Sequence, residues 1–487
     1  MNFNSGAFLI YLPIAVGGYW LLPHKARKHW LLAASWFFYM YWNPLLILLL
    51  LASTAVDYFC GLGMEKYRDR PGRKRALLWC SLCMNLGMLF FFKYWDFFGD
   101  IAAGLLGLIG IGWQPPALHL ILPVGISFYT FQTMSYTIDV YRGKARAERD
   151  PVLFALFVAF FPQLVAGPIE RPGDLIPQLR AKHTFDHNDF TAGIRLLLCG
   201  FFRKCVVADQ CGIYVNRVFS GLDGANALAV AGAGALFCIQ MYCDFAGYSE
   251  IASGCARLMG IRLTRNFDRP YLAQSYTEFF RRWHISLNRW FTQYLYIPLG
   301  GNRRGTLIKL RNTLIVFALC GLWHGARWTY VLWGLYAAFF VCLESLLEKP
   351  AAAFTARFRI DLDDPRVRLT RRVTMFLIFI PAALLFRAES IGQIGEILRI
   401  LAAADFGLTA ALGALGLNSW SLLGLGITLC AMARIYIWGQ HDLPAAATAV
   451  GSARRHVTAA VMAIVIGLCW LALLATEDAA VFAYFQF

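Results

Sequence analysis

Long apolar runs, separated by short stretches rich in lysine and arginine, repeat along the whole chain. Many are about 17 to 22 residues long, enough for a helix to cross a ~30 Å hydrocarbon core. The first predicted span covers residues 7–22, and the basic stretch His24 to His29 follows as a turn. Residues 31–63 are apolar but broken at Asn43-Pro44, which predicts a short helix and then a longer one. A basic loop is expected over residues 65–76, a span over 77–92 and a weaker Gly-rich stretch over 101–112. Further helices are expected over residues 194–207, 227–243, 330–347, 373–386, 422–438 and 457–474, with a long polar loop over 348–372. Residues 387–418 are mixed and Gly/Ala-rich, and suit the outer surface. The total expected is roughly ten to twelve membrane segments in one domain. Beta-barrel strands would alternate over ~10 residues, and no such alternation is present.

Two segments depart from this pattern. Residues 122–140 carry Gly125, Ser127, Thr130, Gln132, Thr133, Ser135 and Thr137, too polar a set for full exposure to lipid. They face either a water-filled cavity or a neighbouring helix, where hydroxyls act as glue. After an apolar run from Phe154, residues 161–171 bring two prolines, a glycine and the pair Glu170-Arg171 near membrane depth. That composition predicts a broken or re-entrant segment, with a plain helix end as the alternative.

Composition agrees with a polytopic membrane protein. Of the 487 residues, 59% are hydrophobic and 15% charged, against ~25% charged in soluble domains; mean hydropathy is +0.53. The net charge of +16 reads as cytoplasmic basic loops, not as a nucleic-acid surface, because lysine and arginine cluster between the apolar runs. The positive charge follows the first apolar run instead of preceding it, so a helix with its N-terminus outside is expected, not a cleaved signal peptide. By the same count the C-terminal end lies outside the cytoplasm. The 13 cysteines sit mostly in apolar runs and behave as small hydrophobes. Cys80 and Cys83 are a helical i, i+3 pair suited to packing, and no spacing suggests a disulfide framework or a metal site.

Candidate chemistry gathers in residues 278–330. His284 follows Arg281, Arg282 and Trp283; His324 sits between Trp323 and Gly325. If residues 281–288 are helical, Arg281, His284 and Asn288 share one face; an interfacial amphipathic helix is the plainer reading. The apolar run that holds His324 starts at Thr313, so the histidine lies ~17 Å along a helix, near the middle of the core. A histidine there is either a functional group or a satisfied packing residue. A neutral imidazole could take a proton from a hydroxyl as it attacks a thioester, oriented by a neighbouring Asp or Asn. No Gly-x-Ser-x-Gly elbow and no phosphate-binding loop is present.

Four motifs carry a family resemblance: residues 161–169 (FPQLVAGPI), 242–248 (YCDFAGY), 279–287 (FFRRWHISL) and 321–325 (GLWHG), with weaker support from the tail, 481–487. In them the chain resembles the membrane-bound O-acyltransferase superfamily, and more closely the branch that includes alginate O-acetylases, strongly over residues 122–333. The resemblance implies an all-α polytopic fold, with a ring of helices around a tunnel joining the two membrane faces. It implies that His324 is the catalytic histidine and His284 the second histidine of the branch. It further implies an acetyl-CoA donor approaching from inside, and acetyl transfer across a bacterial inner membrane to an outer partner protein or directly to a polysaccharide. Asp244, Gln163, Asn288 and Arg281 are candidates for lining or orienting groups at the substrate. Peptidoglycan O-acetylation and D-alanyl transfer are variants within the family. Outside it stand a transporter that relays protons through midplane histidines, which would favour internal repeats that the chain lacks, and a structural subunit of a synthesis complex.

Overall fold

A computed structural model describes residues 1–438, except 117 and 119. The expected span over residues 457–474, the basic stretch before it and the tail lie outside the described residues. Helices α1 (Gly6–Leu21), α2 (His24–Met40), α3 (Ile47–Lys66), α4 (Pro71–Leu89), α5 (Trp95–Leu108), α6 (Ile126–Tyr141) and α7 (Pro151–Ala159) come first. They are followed by α8 (Phe161–Leu164), α9 (Pro172–Arg180), α10 (His187–Phe201), α11 (Asp209–Ser220), α12 (Ala227–Arg257), α13 (Tyr276–Arg282) and α14 (Ile285–Phe291). The last are α15 (Thr306–His324), α16 (Trp328–Arg357), α17 (Pro365–Arg387), α18 (Ile391–Ala402), α19 (Leu408–Leu415) and α20 (Ser419–Trp438). No strand occurs among the described residues. Seven helical stretches there are long and apolar enough to cross a membrane, and α1 is a shorter apolar helix.

Helix starts follow local chemistry. Pro71, Pro151, Pro172 and Pro365 open α4, α7, α9 and α17, where a missing N–H costs nothing. Ser5, Asp150, Ser275, Asp364 and Ser390 cap first-turn N–H groups, as short polar side chains do. Several expected loops are shorter than composition suggested. The basic residues His24 to His29 are already the first turns of α2, and α4 begins at Pro71, inside the expected loop over 65–76. Likewise α16 continues to Arg357 and α17 starts at Pro365, leaving only residues 358–364 of the expected loop over 348–372. Lysine and arginine are good helix formers, so these helices project past the apolar run without breaking.

The chain divides into two compact units. The first comprises residues 1–197 with 248–264. Its α6 is buried along almost its whole length. Thr133 Oγ1 donates to Asn85 Oδ1 at 3.1 Å, and Gln132 Nε2 donates to the Phe157 carbonyl at 2.6 Å. The polar side chains of this helix thus bond to protein, in keeping with the helix-glue reading. They join a buried carboxylate that composition did not single out: Asp57 accepts from Ser81 Oγ at 2.6 Å and from Asn85 Nδ2 at 2.9 and 3.0 Å. The expected break after Phe154 is present. Helix α7 stops at Ala159, Phe160 leaves the helical conformation, and α8 lasts four residues.

Among the described residues, the second unit comprises 198–247 with 265–438. Its core is aromatic. Phe279 of α13 lies 3.9 Å from Phe379 of α17 between ring centroids and stacks on Trp283 at 5.4 Å. Glu344 of α16 accepts from the N–H groups of Tyr276 and Thr277, so a carboxylate caps the start of α13 and fixes it against α16.

Candidate active site

Both histidines belong to the second unit, and both are buried. His284 does not lie on one continuous helix. Helix α13 ends at Arg282, Trp283 is extended, and His284 adopts the left-handed conformation with φ 45° and ψ 53° before α14 begins. A side chain in that region costs ~1–2 kcal/mol, and surrounding bonds must hold it. Asn266 and Asn288 supply them. The Asn266 carbonyl accepts from Ile285 N at 2.9 Å. The Asn266 Oδ1 accepts from Ser286 N at 3.3 Å and Ser286 Oγ at 2.9 Å. Asn288 Nδ2 donates to the Phe280 and Trp283 carbonyls, each at 2.6 Å, and so caps the end of α13.

The same Asn266 Oδ1 lies 3.1 Å from His284 Nδ1. Because Oδ1 already accepts a backbone N–H, which can only donate, the orientation of the amide is settled and Nδ1 is the protonated nitrogen. The basic lone pair is therefore on Nε2. Burial, with the positive form of His324 adding to it, pushes the His284 pKa well below the usual histidine value. His284 is thus a neutral imidazole within electrostatic reach of His324.

His324 is the last residue of α15, and a tight turn through Gly325 leads into α16. The two helices cross at Gly321 and Gly334. A Cβ at either would stand 2.2 Å from a backbone oxygen of the other helix, Tyr330 O or Phe317 O. Only glycine permits this approach. Lys309 and Arg311 lie in the first turns of α15, so the apolar part still starts near Thr313 and ends at His324. Around the imidazole stand the rings of Trp323, Trp333 and Phe386, with centroids at 5.2, 5.2 and 5.3 Å. Trp323 also approaches His284 at 6.0 Å, and Phe245 of α12 meets His284 edge-on at 4.7 Å. The two histidines, 40 residues apart in sequence, share one aromatic wall.

The structure also places the other expected residues. Arg281 is exposed and shares no helix face with His284, because α13 stops one residue after it. Asn288 is spent on α13 carbonyls, as described. Asp244 is buried in an ion pair, its carboxylate 2.9 Å from Lys204 Nζ, which also bonds Asp209 at 2.7 Å. Gln163 belongs to the first unit, where its amide donates to the Phe157 carbonyl at 3.0 Å. Asn266, which orients His284, is absent from the expected set. It lies 18 residues upstream in a polar stretch, Arg265 to Arg269, and spacing alone gives no sign that it returns to His284.

Comparison with known proteins agrees with this architecture. Residues 149–361 match the model of the membrane-bound O-acyltransferase family. The chain is 39% identical over 394 residues to the probable alginate O-acetylase AlgI of Azotobacter vinelandii, covering 80% of this chain and 76% of that protein. It is 37% identical over 370 residues to a peptidoglycan O-acetyltransferase of Helicobacter pylori, covering 68% of each. Over 247 residues it is 27% identical to the teichoic acid D-alanyltransferase of Bacillus subtilis, covering 48% of this chain and 62% of that one. With identity at this level over most of its length, and with several apolar helices able to span a bilayer, the chain belongs to the membrane-bound O-acyltransferase family and is a multi-pass membrane acyltransferase.

Proposed function

We propose that the chain moves acetyl groups from a cytoplasmic thioester donor, acetyl-CoA, across a bacterial inner membrane for O-acetylation of an exported polysaccharide such as alginate. The whole chain would act as one catalytic domain, with a tunnel between the faces and an acetyl-accepting partner protein outside. The observation that carries the reading is the pair of buried histidines on one aromatic wall, in a chain 39% identical to a probable alginate O-acetylase.

In this mechanism the acceptor hydroxyl gives its proton to the His324 imidazole as its oxygen attacks the thioester carbonyl carbon. The C–S bond breaks, and the leaving thiolate takes the proton back from His324, so a thiol and an ester result. His284 stays neutral. A second positive charge beside the imidazolium of His324 would oppose proton uptake there, and the burial of His284 prevents it. Asn266 serves as a positioning residue, and the aromatic wall keeps water from the thioester.

A second reading has its own support: 37% identity to a peptidoglycan O-acetyltransferase over 68% of the chain favours a wall glycan as acceptor. The test is acetyl transfer from radiolabelled acetyl-CoA in membranes that carry the full chain, with alginate-type polysaccharide or peptidoglycan offered on the outer side. Label on the exported polysaccharide upholds the first reading, and label on peptidoglycan the second. Label that stays on acetyl-CoA, with and without periplasmic extract, overturns both.

A further inference from the structure

The first unit holds a cavity of ≈ 330 Å³, remote in sequence from the histidines and lined by the start of α2 together with Asp150 and Arg180. We propose that this cavity binds the phosphate headgroup of an anionic phospholipid. Four permanent cations line it, Lys25, Arg27, Lys28 and Arg180, against the single carboxylate of Asp150. Asp150 pairs with Lys28, and Glu148 pairs with Arg180. No carboxylate pairs with Lys25 or Arg27 among the described residues. The Arg27 guanidinium is instead held in place, donating to the Leu22 and His183 carbonyls at 3.1 and 2.8 Å and lying over the Tyr19 and Trp20 rings.

The backbone adds to the same field. Helix α2 starts at His24 with Pro23 as its cap residue, no side-chain cap bond and no acidic residue in its first turn. The positive end of a helix is crowded with cations, the unfavourable sign for its dipole, and an anion placed there reverses that sign.

The surface beyond the cavity selects a lipid over a soluble phosphate. Lys25, His29, Ala33 and Phe37 follow one another every four residues along α2, Tyr41 stands just past its end at the same spacing, and all five are exposed. The stripe thus begins with two basic lining residues and turns apolar, with Phe37 54% and Tyr41 57% exposed. From Lys25 to Phe37 it runs ~18 Å, the reach of an acyl chain. Basic pockets of this kind at the cytoplasmic end of membrane helices suit anionic headgroups.

Native mass spectrometry of the full-length protein, titrated with phosphatidylglycerol or phosphatidylcholine, tests the proposal. Phosphatidylglycerol is expected to bind in preference. The Lys25→Gln, Arg27→Gln double variant is expected to bind it about 30-fold more weakly, at about fivefold per charge. Asp150→Asn keeps a capping side chain and removes the opposing charge, so it is expected to bind about fivefold more tightly; this gain cannot arise from misfolding. Equal affinity for the two lipids, or unchanged affinity in Asp150→Asn and in the double variant, overturns the proposal. So does displacement of the lipid by equimolar coenzyme A or inorganic phosphate, which would assign the cavity to a soluble phosphate.

Discussion

Asn266 offers a direct probe of how the site is built. In Asn266→Ala, the acceptor of three contacts disappears: His284 Nδ1 at 3.1 Å, Ser286 N at 3.3 Å and Ser286 Oγ at 2.9 Å. At ~0.5–1.5 kcal/mol each these sum to about 3 kcal/mol, and the ~1–2 kcal/mol of left-handed backbone at His284 then lacks its counterweight. The Ile285 N–H to Asn266 carbonyl bond survives, since it is backbone to backbone. The expected stability loss is therefore ~2–4 kcal/mol. Catalysis should suffer separately, because His284 would no longer be held to one tautomer and one ring orientation; a misplacement of about 1 Å at a reacting centre can cost about 10²-fold. Asn266→Asp distinguishes orientation from packing. It keeps every acceptor contact but places a negative charge against His284, which raises the pKa of that imidazole. Its acetyl-transfer rate should be normal at high pH and fall as pH drops through the raised pKa, where positive His284 blocks proton uptake by His324. The assay is initial-rate acetyl transfer against pH at equal amounts of folded protein. Wild-type rates and an unshifted pH profile in both variants would refute the positioning role.

Other expectations follow from the same geometry. Gly321→Ala puts a Cβ 2.2 Å from Tyr330 O, and the α15–α16 hairpin must open, at ~1–3 kcal/mol; a lowered melting temperature checks this. Asp244→Asn leaves Lys204 with Asp209 alone, so the loss should lie toward the lower end of the ~3–5 kcal/mol typical of a broken buried pair, and chemical denaturation measures it. Because the folded-state pKa of His284 is lowered, the unfolded chain binds the proton more readily. His284 then has no effect on stability above pH ~6.5, and stability falls as pH drops below that value toward the depressed folded pKa. Melting temperature against pH should therefore flatten on the acid side in His284→Gln.

Much of this architecture was legible in the sequence. Apolar runs of membrane length gave the spans, because hydrocarbon demands such runs. The Asn43-Pro44 break was visible because proline restricts the residue before it, and the break at Phe160 because Pro162, with no N–H and a ring that clashes with the carbonyl four residues back, cannot continue α7. The ends of α4, α16 and α17 were not legible, since basic residues are as compatible with a projecting helix as with a loop. The break at Trp283-His284 carries no glycine or proline to announce it. It depends on Asn266, a contact across 18 residues that no periodicity reports. Helical spacing therefore grouped Arg281 and Asn288 with His284, whereas the local chain turns Arg281 outward and uses Asn288 as a cap. The burial of His324 was legible because it sits deep in an apolar run, where a histidine is rare.

Single-turnover acetyl transfer from radiolabelled acetyl-CoA in reconstituted membranes isolates the proton-acceptor role of His324. His324→Gln keeps side-chain volume and hydrogen bonding but cannot take the proton. With equal folded protein, the proton-acceptor role of His324 predicts donor binding close to wild type and transfer reduced by about 10²–10⁴-fold, the usual worth of a general base. Transfer at the wild-type rate in that variant would contradict it.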